Sequence, residues 1–213
     1  MAKTEQILTY FEKLYPAPVC ALNFSNSYEL LVAVMLSAQC TDQRVNIVTK
    51  ELFKCANTPQ EMLKLGENKL KQLIHSCGFY NAKSKAIISA SKDIIEKFNG
   101  IVPSKMEELT SLRGVGRKTA NVVISVAFGG QAIAVDTHVH RISKRLGLTK
   151  QNSTAYECEM DLLKIIPFEL RSKFHHQTIW FGRDVCKAQR PLCEMCKLKN
   201  ICKYYKQHIK TSK

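Results

Sequence analysis

Leu109-Thr110-Ser111-Leu112-Arg113-Gly114-Val115-Gly116-Arg117-Lys118-Thr119-Ala120-Asn121 is the segment on which the reading of the fold turns. Ahead of it, Ser104 and Glu107 have the spacing of a capping box, so a helix is expected to run in from Ser104. Gly-Val-Gly at 114–116 interrupts it. From about Arg117, Ala120, Val123, Ile124, Ala127 and Phe128 recur at the spacing of one helical face. Glycine permits backbone angles that side chains forbid, and the exposed amides at a helix start, with the helix dipole, suit an anion such as a DNA phosphate. Arg113, Arg117 and Lys118 add positive charge around the turn. Gly-x-Gly alone would be an ordinary helix C-cap. Followed by a basic helix start, the amides of Gly114, Val115 and Gly116 are read as a phosphate-binding hairpin.

Outward from the hairpin the chain reads as helices with short breaks. Asn26 and Glu29 cap an all-round apolar stretch, Leu30–Ala38, expected to be a central buried helix. Thr41 or Asp42 opens a helix carrying Val45, Val48, Leu52 and Phe53 at helical spacing. Thr58-Pro59-Gln60-Glu61 is a capping box with proline at the first helical position. A helix from about Ala82 ends at Gly100, and another starts at Thr154 with Glu157 and closes before Pro167. No alternating strand pattern appears, and Ile133-Ala134-Val135 is too short to count as one. The expected class is all-α.

Charge and length limit the function. Among 213 residues, 32 Lys and Arg face 18 Asp and Glu, a net charge of +14. Such a field favours a polyanion, since each neutralised phosphate releases counterions. The longest apolar run, Leu30–Leu36, is far short of the roughly 20 residues a membrane span needs. The N-terminus, with Glu5, Glu12 and Lys13, lacks the basic start and apolar core of a secretory signal. A cytoplasmic protein is expected, nucleoid-associated if bacterial, with a monomer as the default state.

Lys118 lies beside Asn121, Val122 and Ser125, opposite the apolar stripe. A cation near a helix N-terminus opposes the dipole, and that misfit favours the neutral, nucleophilic amine a Schiff-base lysine needs. Eighteen residues on, Asp136 is placed to cap a helix ending at Gly147, with Val139, Ile142 and Leu146 inward and His138, Arg141 and Arg145 as an outward basic stripe. A capping carboxylate can also stabilise developing positive charge.

Nine cysteines without an export signal argue against a disulfide framework. Five are scattered singly, at 20, 40, 55, 77 and 158. The other four form Cys186-x6-Cys193-x2-Cys196-x5-Cys202, which can enclose zinc or a [4Fe–4S] cluster. Zinc ribbons generally use two Cys-x2-Cys pairs, and the single pair here tilts the reading toward the cluster. The loop between the first two cysteines carries Lys187 and Arg190, and the tail from Lys197 adds six lysines and no acid. Such a closed centre would hold a basic loop against DNA.

These residues resemble the endonuclease III family of helix-hairpin-helix DNA glycosylases, through Leu112–Ala120, Val135-Asp136-Thr137-His138 and the four-cysteine spacing, over nearly the whole chain. The resemblance implies Lys118 as nucleophile, Asp136 as catalytic carboxylate, hairpin amides at Gly114, Val115 and Gly116, and [4Fe–4S] on the four cysteines. It implies two helical lobes with a cleft between them, one spanning 20–131 with its hairpin at about 112–117, the other joining 1–19 to 132–213 with the cluster loop at 186–202. Leu36–Asp42 is similar to the family segment whose glutamine, here Gln39, enters the gap left by an extruded nucleotide. Gly78-Phe79-Tyr80-Asn81 is similar to the second wedge loop, although Phe79 replaces the leucine associated with that place. The implied activity is excision of oxidised pyrimidines from duplex DNA and cleavage at abasic sites by β-elimination. Two alternatives are an adenine mismatch glycosylase, whose branch lacks lysine at the position of Lys118 and carries a further C-terminal domain, and a non-catalytic DNA-binding module with a structural metal.

Overall fold

The computed structural model describes residues 2–208, and among them every regular element is helical. The chain divides into two compact units, one formed by Cys20–Gly130 and the other by Met1–Val19 together with Gln131–Lys213.

The 20–130 unit is built around α2 (Ser27–Ser37), which is apolar on every side and buried from Tyr28 to Leu36. Helix α3 (Asp42–Cys55) and the hairpin pair α6 (Met106–Ser111) and α7 (Arg117–Phe128) complete the lobe with α4 (Pro59–Ile74) and α5 (Tyr80–Phe98). The capping signals act largely as expected. Asn26 accepts the Glu29 amide at 2.9 Å, and Thr41 and Thr58 cap α3 and α4. Glu29 and Glu61 reach one residue past the cap to the Ser25 and Asn57 amides, so both boxes are closed a step further out.

Two local expectations are corrected, and a break in α4 has no counterpart in the sequence reading. Helix α6 starts at Met106 with Lys105 at its cap position, so the Ser104–Glu107 box does not form. Glu107 and Glu108 instead place negative charge in the first turn, where the dipole favours it. Helix α4 is broken at Gly66, whose φ of 77° is left-handed. Phe128, expected on the inward stripe of α7, is 40% exposed, whereas Asn121 and Ser125 beside Lys118's row are buried. The covered side of α7 carries Ala120, Asn121, Val123 and Ser125, so it is rotated toward Lys118's row relative to the expected stripe.

The other unit gathers α1 (Lys3–Leu14), α8 (Thr137–Leu146), α9 (Ala155–Ile165), α10 (Arg171–Asp184) and α11 (Lys203–His208). Ile7 and Phe11 of α1 are fully buried, and the Phe11 ring lies 4.9 Å from Phe181 and 5.9 Å from Phe174 on α10. Thr154 and Glu157 form the expected reciprocal box, at 3.2 and 2.7 Å. Helix α8 matches its expectation from Asp136 at the N-cap to Gly147 at a left-handed C-cap.

Gly114 is the position where the hairpin depends on glycine. Its φ is 82°, and an added Cβ would lie 2.7 Å from the Ala86 Cβ and 3.2 Å from the Met35 Cε. Gly116 differs from expectation. Its backbone is extended, with φ −88°, and an added Cβ would meet nothing within 4 Å. Gly114→Ala should therefore cost about 2–4 kcal/mol from left-handed strain plus overpacking, while Gly116→Ala should cost under about 1 kcal/mol. Urea midpoints at constant m-value check both.

Candidate functional site

The hairpin leaves the start of α7 uncapped. Gly116 sits at the N-cap with no side chain to bind the first-turn amides, and the place a Cβ would take is open. Helix geometry leaves those amides without intrahelical acceptors. Arg113, Arg117 and Lys118 are all exposed beside this turn. Val115 departs from the sequence reading. Its side chain is 4% exposed and its amide donates to the Leu112 carbonyl at 3.1 Å, so it anchors the turn instead of offering an outward donor.

The two loops expected to act as wedges lie side by side in the same unit. Gln39 and Phe79 are both exposed, Phe79 at 67%, and both hold left-handed backbone, with φ of 54° and 59°. Non-glycine residues take that conformation at a cost and persist in it where the surroundings enforce it. The Gln39 carbonyl lies 3.6 Å from where a Cβ on Gly78 would stand. Lys83 braces the first loop from beneath. Its Nζ, on a side chain nearly out of reach of solvent, donates to the Leu36 carbonyl at 2.8 Å. Burial lowers the Lys83 pKa, opposed by the nearby sulfurs of Cys77 and Cys40. No sequence signal marks this lysine, because nothing local distinguishes it from the surface lysines on α5.

In the other unit, Asp136 is half-buried and its Oδ1 accepts the Val139 amide at 2.8 Å, which fixes the carboxylate at the N-terminus of α8. The stripe on α8 faces the opposite way from its expectation. Arg141 Nη2 donates to the Gly182 and Cys186 carbonyls, both at 3.1 Å, and contacts His138 Nδ1 at 3.2 Å. Arg145 Nη1 donates to the Lys187 carbonyl at 2.7 Å and lies 3.4 Å from the Cys186 Sγ, while Nη2 reaches the Ala188 carbonyl at 2.9 Å. Its guanidinium also lies over the Tyr204 ring, 4.5 Å from the centroid. The two arginines thus face protein carbonyls instead of solvent. Gly182 makes the approach of α8 and α10 possible, since a Cβ there would lie 2.6 Å from His138 Nδ1 and 2.9 Å from Ile142 Cδ1.

Beyond that clamp, Cys186, Cys193, Cys196 and Cys202 all line one pocket, with Leu146 and Phe181 at its apolar side. Each is partly buried. Burial pushes the Cys196 thiol up to about 11, with the other three sulfurs adding to the rise, and it raises Cys193 and Cys202 as well. Among the described residues no three His, Cys, Asp or Glu side chains are grouped to hold one metal ion. Lys187 and Arg190 are exposed on the intervening loop, Arg190 with a left-handed φ of 49°.

Known proteins agree with this arrangement. Residues 32–168 match the HhH-GPD superfamily of base excision DNA repair proteins. Endonuclease III of Bacillus subtilis is 50% identical over 190 residues, 89% of this chain and 87% of that protein. The enzymes of Rickettsia felis and Escherichia coli are 46% and 43% identical over 204 and 203 residues, covering 96% and 95% of this chain and 95% and 96% of theirs. A trapped endonuclease III–DNA covalent intermediate superposes over the whole of both chains with a TM-score of 0.93 at 47% identity. A thermostable thymine-DNA glycosylase shares the fold, with a TM-score of 0.87 at 20% identity, over 96% of this chain and 97% of that one. The fold and hairpin define a helix-hairpin-helix base excision repair protein. Within that class the chain belongs to the endonuclease III family, and it is a DNA glycosylase and abasic-site lyase.

Two outcomes test the local geometry. Asp136→Ala should lower stability by about 1 kcal/mol through loss of the cap, and Asp136→Asn should leave it nearly unchanged. Arg145→Ala should speed tryptic cleavage after Lys187 by about tenfold, the change expected if loop opening becomes easier by about 1.4 kcal/mol.

Proposed function

We propose that this enzyme excises oxidised pyrimidines from duplex DNA and then cleaves the strand 3′ to the lesion, with Lys118 as nucleophile and Asp136 as the catalytic carboxylate. The observation that carries the reading is the exposed Lys118 in the first turn of α7, directly after a hairpin whose helix start has no side-chain cap. A phosphate bound by the Gly114–Gly116 turn, Arg113 and Arg117 would bring the neighbouring sugar to that amine. Lys187 and Arg190 add phosphate contacts from the cysteine loop. Gln39 and Phe79 are the side chains that enter the duplex when the damaged nucleotide leaves the stack, a step that costs less for a damaged base.

The chemistry follows from these groups. The neutral Lys118 amine attacks C1′, the glycosidic bond breaks, and its electron pair leaves with the base, which takes up a proton. Opening of the sugar gives a Schiff base between Lys118 and C1′. Removal of a C2′ proton then sends electrons toward the iminium and expels the 3′ phosphate as the C3′–O bond breaks. The Asp136 carboxylate, oriented by the Val139 amide, stabilises the positive charge that develops on the sugar.

The four cysteines fit a [4Fe–4S] cluster. All four line one pocket and are partly buried, and their single Cys-x2-Cys pair differs from the two pairs that zinc ribbons generally use. The bound cluster would supply structural closure of the loop, leaving no coordination position for substrate. Among the described residues no helix is long and apolar enough to cross a membrane. A monomer acting in the cytoplasm suits an enzyme working on DNA.

Borohydride trapping on duplexes containing thymine glycol or an abasic site, with the linked residue located by mass spectrometry, is the direct test. An adduct on Lys118 with both supports the reading, while trapping on the abasic duplex alone overturns the substrate. Lys118→Gln should abolish trapping and leave duplex affinity within about threefold, and Asp136→Asn should lose turnover while keeping the fold. Four irons and four sulfides per purified chain are expected; stoichiometric zinc would overturn the cluster.

A further inference from the structure

Two of the cysteines outside the four-cysteine loop are neighbours. Cys40 lies in the loop after α2 and Cys77 in the loop after α4, and Cys40 is near enough to add to the rise in the Cys77 pKa. The backbones are close as well, since the Gln39 carbonyl packs on Gly78 next to both. Lys83 lies near both sulfurs and holds the Leu36 carbonyl, so the pair has a fixed floor. Cys40 is partly exposed and Cys77 is fully buried. One sulfur is therefore reachable by a small oxidant, and the other is positioned to meet it from inside.

We propose that Cys40 and Cys77 are a redox-active dithiol that a peroxide converts reversibly to a disulfide, stapling the loop of Gln39 to the loop of Phe79. The reaction balances in two steps. The Cys40 sulfur attacks one peroxide oxygen, breaking the O–O bond and giving a sulfenic acid and one water from hydrogen peroxide. The Cys77 sulfur then attacks the Cys40 sulfur, and the displaced hydroxide leaves as a second water with the Cys77 proton. Burial pushes the Cys77 thiol up to about 11, which makes it a slow attacker in the open and suits a partner already nearby. An external thiol reverses the bond by exchange. The consequence is mechanical. The two loops, each holding a left-handed non-glycine residue, become one covalent unit spanning residues 40 to 77. The reading stands apart from any role of Gln39 or Phe79 in DNA binding.

The test uses the purified holoprotein and hydrogen peroxide, followed by alkylation and tryptic digestion without reduction. The expected product joins peptide 14–44 to peptide 72–83, with fragment ions placing the bond on Cys40 and not on Cys20 in the same peptide. It should vanish in Cys40→Ser and in Cys77→Ser, disappear on treatment with dithiothreitol, and raise the midpoint of thermal unfolding by several degrees in the wild type. Cys40→Ser, at the partly exposed position, serves if Cys77→Ser folds poorly. Over-oxidation of Cys40 to sulfinic acid with Cys77 still alkylatable, or a bond from Cys40 to Cys20, would overturn the pairing. Full alkylation of both thiols after peroxide would overturn the redox activity.

Discussion

The carbonyl clamp made by Arg141 and Arg145 is the constraint on which much of the 131–208 region depends. Both guanidiniums rise from α8, the helix that Asp136 caps, and both end on backbone oxygens between Gly182 and Ala188. A guanidinium offers five donors in a rigid fork, so it can bind several carbonyls that no regular element satisfies. The irregular chain after α10 supplies most of the acceptors, the part-buried Cys186 carbonyl and the more exposed Lys187 and Ala188 carbonyls. One helix therefore fixes the carboxylate at its start and the cysteine segment along its length, and a shift of α8 would move both.

The clamp works only because α8 and α10 approach closely at Gly182. Any side chain there would push the helices apart at the level where Arg141 reaches across. The apolar seam beneath, with Ile142 and Leu146 on α8 and Phe181 on α10, closes the same interface without directional bonds. Packing sets the distance, and the guanidiniums set the register. In the 20–130 unit the division is similar: the all-apolar α2 supplies burial, while Lys83 and the left-handed turns at Gln39 and Phe79 give the loop ends their shape.

Much of this was legible in the chain. The limits of α8 could be read because Asp136 and Gly147 are both strong end signals, and the hairpin because glycines interrupt a helical period. The four cysteines announce themselves by spacing. What could not be read is direction. His138, Arg141 and Arg145 form a visible stripe, but charge alone suggested solvent, and the carbonyls that draw the arginines inward are some 40 positions away in sequence, as the separation of 41 between Arg141 and Gly182 shows. Lys83 is hidden for the same reason, its acceptor being 47 positions back. The two hairpin glycines look equivalent on paper, yet Gly114 is held by its φ and by Ala86, and Gly116 by the space it leaves open.

The discontinuity of the second unit has a bearing on synthesis. Glu12 on α1 pairs with Lys173 on α10, 161 positions later, and Ile7 and Phe11 are buried in the same core. While the ribosome makes the intervening chain, α1 has no partner and its apolar face stays in water. Residues 20–130 emerge complete well before that partner exists, so the middle of the chain can condense first, as domains generally fold in units during translation. The first helix is thus the last to be housed, and a nascent chain stalled before α10 would carry an exposed Phe11 as a handle for chaperones.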